Sequence, residues 1–230
     1  MTDNIKSRQF ASLKSDFQTL SENVIQQLSF FEGLLRTRFK QVVYEEMISN
    51  EININLFENK IRLDFVNSML LFAPRAIELR KLITYQDTTN HLEAIGNLLM
   101  DGVTLLKTIG LNSPDFDYFK VTLIKMFSLT KGMVGDAIFS FCYEDPLVAN
   151  KVISEDDILN QLHREVLENI TLIFQDLPLS VQELKNITCI SNLSYIFEQI
   201  GDIAANIAEA SVYLIEGKYI RNQFSEINNA

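Results

Sequence analysis

Apolar side chains recur along most of this chain at intervals of three and four residues, the spacing that places them on one face of an α-helix. The first stripe predicts a helix of about nine turns. Its members are Leu13, Phe17, Leu20, Val24, Leu28, Phe31 and Leu35. A second stripe should end just before Pro74, because the residue preceding a proline avoids the helical conformation. Its members are Ile54, Phe57, Ile61, Phe65, Met69 and Phe72. A third helix is predicted from about Ala76 to Ile109, with an apolar side formed by Leu92, Ile95, Leu99 and Leu106.

A break in this pattern follows near the middle of the chain. Gly110 can end a helix in the left-handed conformation, Ser113 can cap the next helix, and Pro114 suits its first position. We therefore predict two domains, residues 1–112 and 113–230. The same kind of signal should open the fifth and sixth helices, at Asp145-Pro146 and at Pro178 respectively.

The two halves are related by an internal repeat at a constant offset of 105 residues. The matching pairs are Ile48-Ser49 and Ile153-Ser154, Asn55 and Asn160, Glu78-Leu79-Arg80 and Glu183-Leu184-Lys185, Glu93 and Glu198, and Ile95-Gly96 and Ile200-Gly201. Chance hardly supplies five matches at one offset. The sequence thus predicts an all-α protein of six long helices, folded as two tandem three-helix bundles related by duplication. A glycine inside a helix costs about 1 kcal/mol relative to alanine, so the repeated glycine indicates close approach of a neighbouring helix.

Acidic and amide side chains spaced four residues apart form a polar row in each half. Residues four apart share one helix face, and carboxylates on facing helices can converge on a divalent cation through oxygen ligands. The candidates in the first half are Glu51, Asn55, Glu93 and Asn97, with Asp101 on the same face. Those in the second half are Asp156, Asn160, Glu198 and Asp202, continued by Asn206 and Glu209. The alternative is that these rows are the solvated faces of amphipathic helices.

Charge and cysteine content narrow the possible functions. Lys and Arg number 20 against 30 Asp and Glu, a net charge of −10, which argues against a nucleic-acid partner because a phosphate backbone requires a basic face. Cys142 and Cys189 are far apart, without the spacing of a disulfide framework or zinc site. The N-terminus lacks the apolar stretch of a signal peptide, and no segment is long and apolar enough to cross a bilayer. We therefore expect a cytoplasmic protein.

No catalytic constellation is visible in the sequence. His91 and His163 are isolated, and neither lies three residues after a glutamate, as a ferritin-like di-iron enzyme requires. Gly132 and Gly135 fit no phosphate-binding loop. Neither cysteine has a basic neighbour in sequence that would activate it. We therefore expect a protein that is not an enzyme.

Two motifs resemble those of a known family. The run Phe197-Glu-Gln-Ile-Gly-Asp-Ile-Ala-Ala-Asn-Ile-Ala-Glu209 resembles the ERIGD-x-x-x-NIAE signature of the PhoU family of phosphate-transport regulators. Pro74-Arg-Ala-Ile-Glu-Leu-Arg80 is similar to that family's P-x-A-x-D-L-R, with glutamate in place of aspartate. Leu92-Glu-Ala-Ile-Gly-Asn97 is a degenerate first-half copy of the signature. The resemblance covers nearly the whole chain, including the duplication.

The resemblance implies tandem three-helix bundles in which paired E/D-x-x-x-D motifs hold metal ions. The positions that match the family's motif are the eight listed above as site candidates. Of the family's eight carboxylates, the second half keeps Asp156, Glu198 and Asp202, and the first half keeps Glu51 and Glu93. We therefore expect any divalent metal (Mg, Mn, Fe or Zn) to prefer the second bundle.

The resemblance also implies a function and partners. The protein would be a cytoplasmic adaptor that couples a phosphate ABC transporter to a membrane sensor histidine kinase, restraining uptake and starvation-gene expression. It would reach the membrane only through these partners, and we expect a homodimer. Two alternatives stay open: a metal-dependent enzyme that uses the carboxylate rows, and a helical scaffold with no link to phosphate.

Overall fold

The computed structural model describes residues 2–37, 39–109 and 114–216, and within these ranges it contains six α-helices and no strand. The helices are α1 Thr2–Arg36, α2 Gln41–Phe72, α3 Ile77–Ile109, α4 Pro114–Tyr143, α5 Pro146–Phe174 and α6 Val181–Glu216. The prediction of an all-α chain of six long helices is confirmed. The predicted division between residues 112 and 113, with the caps at Gly110 and Ser113, lies outside the described residues and stays a prediction.

The helices pack as two three-helix bundles set side by side. Helices α1, α2 and α3 contact one another, as do α4, α5 and α6, and the two bundles meet where α3 packs on α6 and α1 packs on α4. Helices α2 and α5 therefore lie on opposite outer sides of the molecule. Helix α5 begins 105 residues after α2, at Pro146 against Gln41, which is the offset of the sequence repeat.

Two groups of aromatic rings join the bundles. Phe31 of α1 lies 4.8 Å from Phe127 of α4, which lies 5.0 Å from Phe197 of α6, between ring centroids. A second group brings Phe141 of α4 to 5.2 Å from the ring of Phe17 in α1 and to 5.0 Å from the ring of Tyr85 in α3. The predicted apolar stripe of α1 is buried along its whole length, from Leu13 to Leu35. One continuous core therefore holds both repeats in a fixed relation.

The helix ends follow the sequence signals with one exception. Helix α2 ends at Phe72, and Ala73 adopts the left-handed conformation at φ 39°. Asp145 caps α5 by accepting hydrogen bonds from the backbone of the first turn. Helix α6, however, starts at Val181 and not at Pro178. The reason is a reciprocal cap: Ser180 Oγ accepts from the Glu183 backbone at 3.2 Å, while Glu183 Oε2 accepts from the Ser180 backbone at 2.7 Å.

Candidate functional site

In the first bundle, the predicted polar row places a half-buried carboxylate, Glu51, between α2 and α3. Its Oε2 atom is buried and has no hydrogen-bond partner among the described residues. Its Oε1 atom receives only a long contact, 3.5 Å, from the amide of Asn55. Burial, followed by the negative charge of Glu93, raises the pKa of Glu51 from 4.5 to about 7. The carboxyl group is thus held in an environment that disfavours its charged form.

Gly96 explains how this carboxylate fits between the helices. A Cβ atom at residue 96 would lie 2.8 Å from Glu51 Oε2 and 3.3 Å from Ile54 Cδ1. Any larger residue would therefore have to displace the glutamate. Beside it, Asn97 donates a 2.6 Å hydrogen bond to Glu93 Oε1, so this amide is bound to a carboxylate of its own helix.

The second bundle repeats this arrangement 105 residues later in the sequence. Asp156 Oδ1 is buried without a hydrogen-bond partner among the described residues, as Glu51 Oε2 is. Its other oxygen accepts from Asn160 at 3.1 Å. Burial and then the charge of Asp202 raise the pKa of Asp156 from 3.8 to about 6. Burial also raises the pKa of Glu198, with additional contributions from Asp202 and Asp156.

The repeated glycine has the same structural reason in this half. A Cβ atom at Gly201 would collide with Leu159 Cδ2, and Leu159 is the repeat equivalent of Ile54. The prediction that both glycines mark the close approach of a neighbouring helix is confirmed. The space next to Gly96 in the first bundle also admits a carboxylate oxygen, whereas the space next to Gly201 in the second bundle is filled by the Leu159 side chain.

The candidate ligand atoms of the two sites suit a hard divalent cation, because all of them are carboxylate or amide oxygens. In each site one carboxylate oxygen also receives no hydrogen bond from the described residues. A cation would relieve the repulsion between carboxylates, which adds to the larger effect of burial on the pKa values of Glu51, Asp156 and Glu198. Yet no group of three or more His, Cys, Asp or Glu side chains suited to a metal ion occurs within residues 2–37, 39–109 and 114–216. The carboxylates of neither bundle are arranged as such a group, so a cation would need further ligands or a side-chain rearrangement.

Two residues of the predicted row on α6 lie elsewhere. Asn206 and Glu209 line a cavity of about 260 Å³ between the bundles, opposite Asp87 and His91 of α3. Burial lowers the pKa of His91, and the charge of Asp87 partly opposes this. His91 stands alone in the sequence, because Asn206 and Glu209 on the other wall of the cavity come from the second repeat. The spacing of Asp87 and His91, one helical turn apart, was the available signal.

Comparison with known proteins agrees with this architecture. Residues 123–211 match the PhoU domain. The chain is 29% identical over 180 residues to the "Phosphate-specific transport system accessory protein PhoU homolog" of Aquifex aeolicus, which covers 78% of this chain and 79% of that protein. It is 31% identical over 110 residues to "PhoU homolog 1" of Thermotoga maritima, covering 48% and 47% of the two chains. The chain is therefore similar to the PhoU family: its second half matches the PhoU domain, and a PhoU homologue aligns with most of its length.

Solved structures of two PhoU proteins share the fold across both bundles. PhoU from Pseudomonas aeruginosa superposes with a TM-score of 0.83 at 21% identity, covering 92% of this chain and 99% of that one. The phosphate transport system regulatory protein PhoU from Streptococcus pneumoniae gives a TM-score of 0.80 at 21% identity, covering 96% and 99%. Both bundles thus conform to the PhoU fold. None of the helices in the described part of the chain contains an apolar segment long enough to cross a membrane.

Proposed function

We propose that this protein regulates phosphate uptake as a non-catalytic accessory of a phosphate transport system. The observation that carries the proposal is the similarity to proteins named as phosphate-specific transport system accessory proteins, which extends over 78% of the chain in the Aquifex aeolicus relative. In the finer form of the proposal, the protein is a cytoplasmic adaptor between a phosphate ABC transporter and a membrane sensor histidine kinase. It restrains uptake and starvation-gene expression when phosphate is plentiful.

The genetic test is deletion of the gene in phosphate-rich medium. The expected result is derepression of transporter and phosphatase transcripts, reversed when the gene is supplied on a plasmid. Unchanged transcripts would refute the regulatory role. Membrane pull-down with the tagged protein tests the adaptor role separately: recovery of transporter and kinase subunits supports it. If neither transporter nor kinase subunits are recovered, the adaptor role is wrong, even if deletion of the gene causes derepression.

We further propose that a divalent cation binds the second bundle before the first. The support is the larger number of carboxylates there, Asp156, Glu198 and Asp202, because mutually repelling carboxylates gain most from a cation. Calorimetric titration with Mg²⁺ and Mn²⁺ tests this with Asp202→Asn, and with Glu168→Gln as an exposed control on α5. Binding should weaken in the first variant only. Equal affinity in all three proteins, or no binding at millimolar metal, would refute the cation site.

A further inference from the structure

Another cavity lies between the bundles, at the end of the molecule where α1 and α3 begin and α4 and α6 end. It measures about 210 Å³ and is lined by residues from two helices of each bundle. Its apolar wall is formed by Phe10, Leu13, Leu82, Phe141 and Leu214. An apolar cavity of about 150 Å³ is enough to hold benzene. This cavity therefore has room for one aromatic ring with a short substituent.

Three charged side chains form the mouth of this cavity. Lys14 of α1 and Lys81 of α3 contribute two positive charges, and Glu144, which directly follows α4, contributes one negative charge. Lys81 Nζ lies 3.1 Å from Glu144 Oε1, so this ion pair links the first bundle to the second. Both side chains of the pair are about half exposed, at 45% and 52%. The cavity thus combines an apolar interior with a mouth that carries a net positive charge.

Glu144 occupies a position at which glycine is usual. Its φ angle of 53° is left-handed, and the backbone of Asp145 donates a 3.0 Å hydrogen bond to the carbonyl oxygen of Ser140. Many helices end in this way, and the left-handed residue is most often glycine because any side chain is strained there. A glycine would end α4 with less strain, so the turn itself gives no reason for a glutamate. The reason that the structure offers is the carboxylate at the mouth, paired with Lys81.

The internal repeat indicates that the fold does not require these charges. The residues 105 positions away from Lys14, Lys81 and Glu144 are Phe119, Asn186 and Phe39, respectively. The equivalent end of the junction between the bundles is therefore built without them. The charges at the mouth serve something that only this end of the molecule contacts.

We propose that this cavity binds a small organic anion, which has a flat apolar body of about one aromatic ring and a carboxylate or phosphate head group. The body occupies the apolar interior, whose wall already contains the rings of Phe141 and Tyr85 at 5.0 Å between centroids. Such rings favour a further aromatic ring in offset or edge-to-face packing. The head group pairs with Lys14 and takes the place of the Glu144 carboxylate at Lys81. The site is independent of the proposed regulatory role, so each can fail without the other.

The sign of the ligand follows from the groups at the mouth. Two ammonium groups face one carboxylate, so one positive charge is left for a ligand to balance. Tyr85 adds a hydrogen-bond donor on the same side, because burial, followed by Cys142 and Glu144, raises its pKa to about 12. The phenol therefore stays protonated at neutral pH and can donate to an anion. A cationic ligand would meet two ammonium groups instead, and like charges repel.

The first test is calorimetric titration with benzoate and phenyl phosphate, one probe for each head group. At least one of them should bind one-to-one, and the tighter of the two identifies the head group. The controls are benzyl alcohol without the charge, benzylamine with the opposite charge, and inorganic phosphate without the apolar body. Each should bind at least about tenfold more weakly, the smallest factor expected when one charge-assisted hydrogen bond or the buried ring is lost. No binding of either probe at millimolar concentration, or equal binding of any control, would overturn the proposal.

The second test uses substitutions of the ion pair, for which the site predicts opposite effects. Lys81→Gln should weaken binding of the tighter probe by at least about tenfold, because the head group loses a charged partner. Glu144→Gln should strengthen binding, because the carboxylate no longer competes for Lys81. The matched controls are Lys151→Gln and Asp136→Asn, which break a similar 2.7 Å ion pair away from the cavity and should leave the affinity unchanged.

Circular dichroism melts of each variant establish that it is folded. If the Lys81–Glu144 ion pair only held the bundles together, its two substitutions would shift the affinity in the same direction. That result, or a loss of affinity in Lys151→Gln as large as in Lys81→Gln, would overturn the proposed site.

Discussion

Substitution of Glu51 by glutamine should reveal how strongly the first bundle opposes a negative charge. The native state raises the pKa of this carboxyl group from 4.5 to about 7, chiefly by burial. Between those two pH values the folded protein therefore binds more protons than the unfolded chain, and its stability falls as pH increases. The stability that a protonated Glu51 provides is fully present below about pH 4.5 and is lost as pH rises through about 7.

The size of the effect follows from the same values. The interval between 4.5 and about 7 corresponds to about 3 kcal/mol of unfolding free energy at about 1.4 kcal/mol per pKa unit. Because the side chain is only half-buried and partly screened by water, we expect about 1–2 kcal/mol. Glutamine has nearly the same shape without the charge. Glu51→Gln should therefore match the parent at pH 5 and be more stable by that amount at pH 8.

Urea unfolding at pH 5, 6, 7 and 8, in the presence of a chelator, measures this difference directly. Glu46→Gln is the matched control, because it removes an exposed glutamate from the same helix and should give a difference that varies little with pH. A pH-independent difference for Glu51→Gln would show that folding leaves the pKa of Glu51 unchanged, and a loss of stability at pH 8 would show that a partner stabilises the carboxylate. In that case the desolvation argument is wrong.

Three further substitutions test the packing and electrostatics of the bundles. Asp156→Asn should also stabilise the protein, by an amount that grows between about pH 4 and 6, because burial and Asp202 raise the pKa of Asp156 from 3.8 to about 6. Urea unfolding at pH 4 and 7 measures this difference. The same difference at both pH values would mean that the aspartate is well solvated. Gly201→Leu should lower the unfolding free energy by about 1–3 kcal/mol and with it the thermal midpoint. Gly132→Ala, in open space, should raise the unfolding free energy by up to about 1 kcal/mol. Equal shifts of the thermal midpoint in the two variants would contradict the close approach at Gly201. Gln27→Leu should cost about 1–3 kcal/mol in urea unfolding, because buried Gln27 accepts a 2.8 Å hydrogen bond from Asn50; an unchanged midpoint would mean that this amide pair contributes nothing.

The helices could be predicted from the sequence because burial follows a simple period. The stripe from Leu13 to Leu35 alternates steps of three and four, and each of its members is buried. The start of α6 was missed for a local reason. The sequence prediction rests on Pro178, whereas Ser180 and Glu183 form the reciprocal cap. Their S-x-x-E spacing is a recognised helix start and was readable in the sequence.

The site could be predicted only in part, because its chemistry depends on distances between helices. Spacing identifies Glu51 and Asp156 as polar positions that share a helix face with other acidic and amide side chains. It could not show that one oxygen of each is buried without a donor, nor that Gly96 makes room for such an oxygen. The cavity near His91 was inaccessible to sequence reasoning because its other wall, with Glu209, comes from the second repeat.

The duplication separates what the fold requires from what has been added to one half. Both halves keep a buried carboxylate oxygen without a donor among the described residues, at Glu51 and at Asp156, and a helical glycine against which the neighbouring helix packs, at Gly96 and at Gly201. The desolvated carboxylate lowers stability in each half, whereas the glycine makes room for a side chain of the neighbouring helix. The outer face of α2 is apolar at Val42, Ile52, Leu56, Leu63, Val66 and Leu70, whereas the equivalent positions of α5 are polar except for Leu147. Features present in both halves therefore follow from the three-helix unit itself, and the apolar outer face of α2 does not.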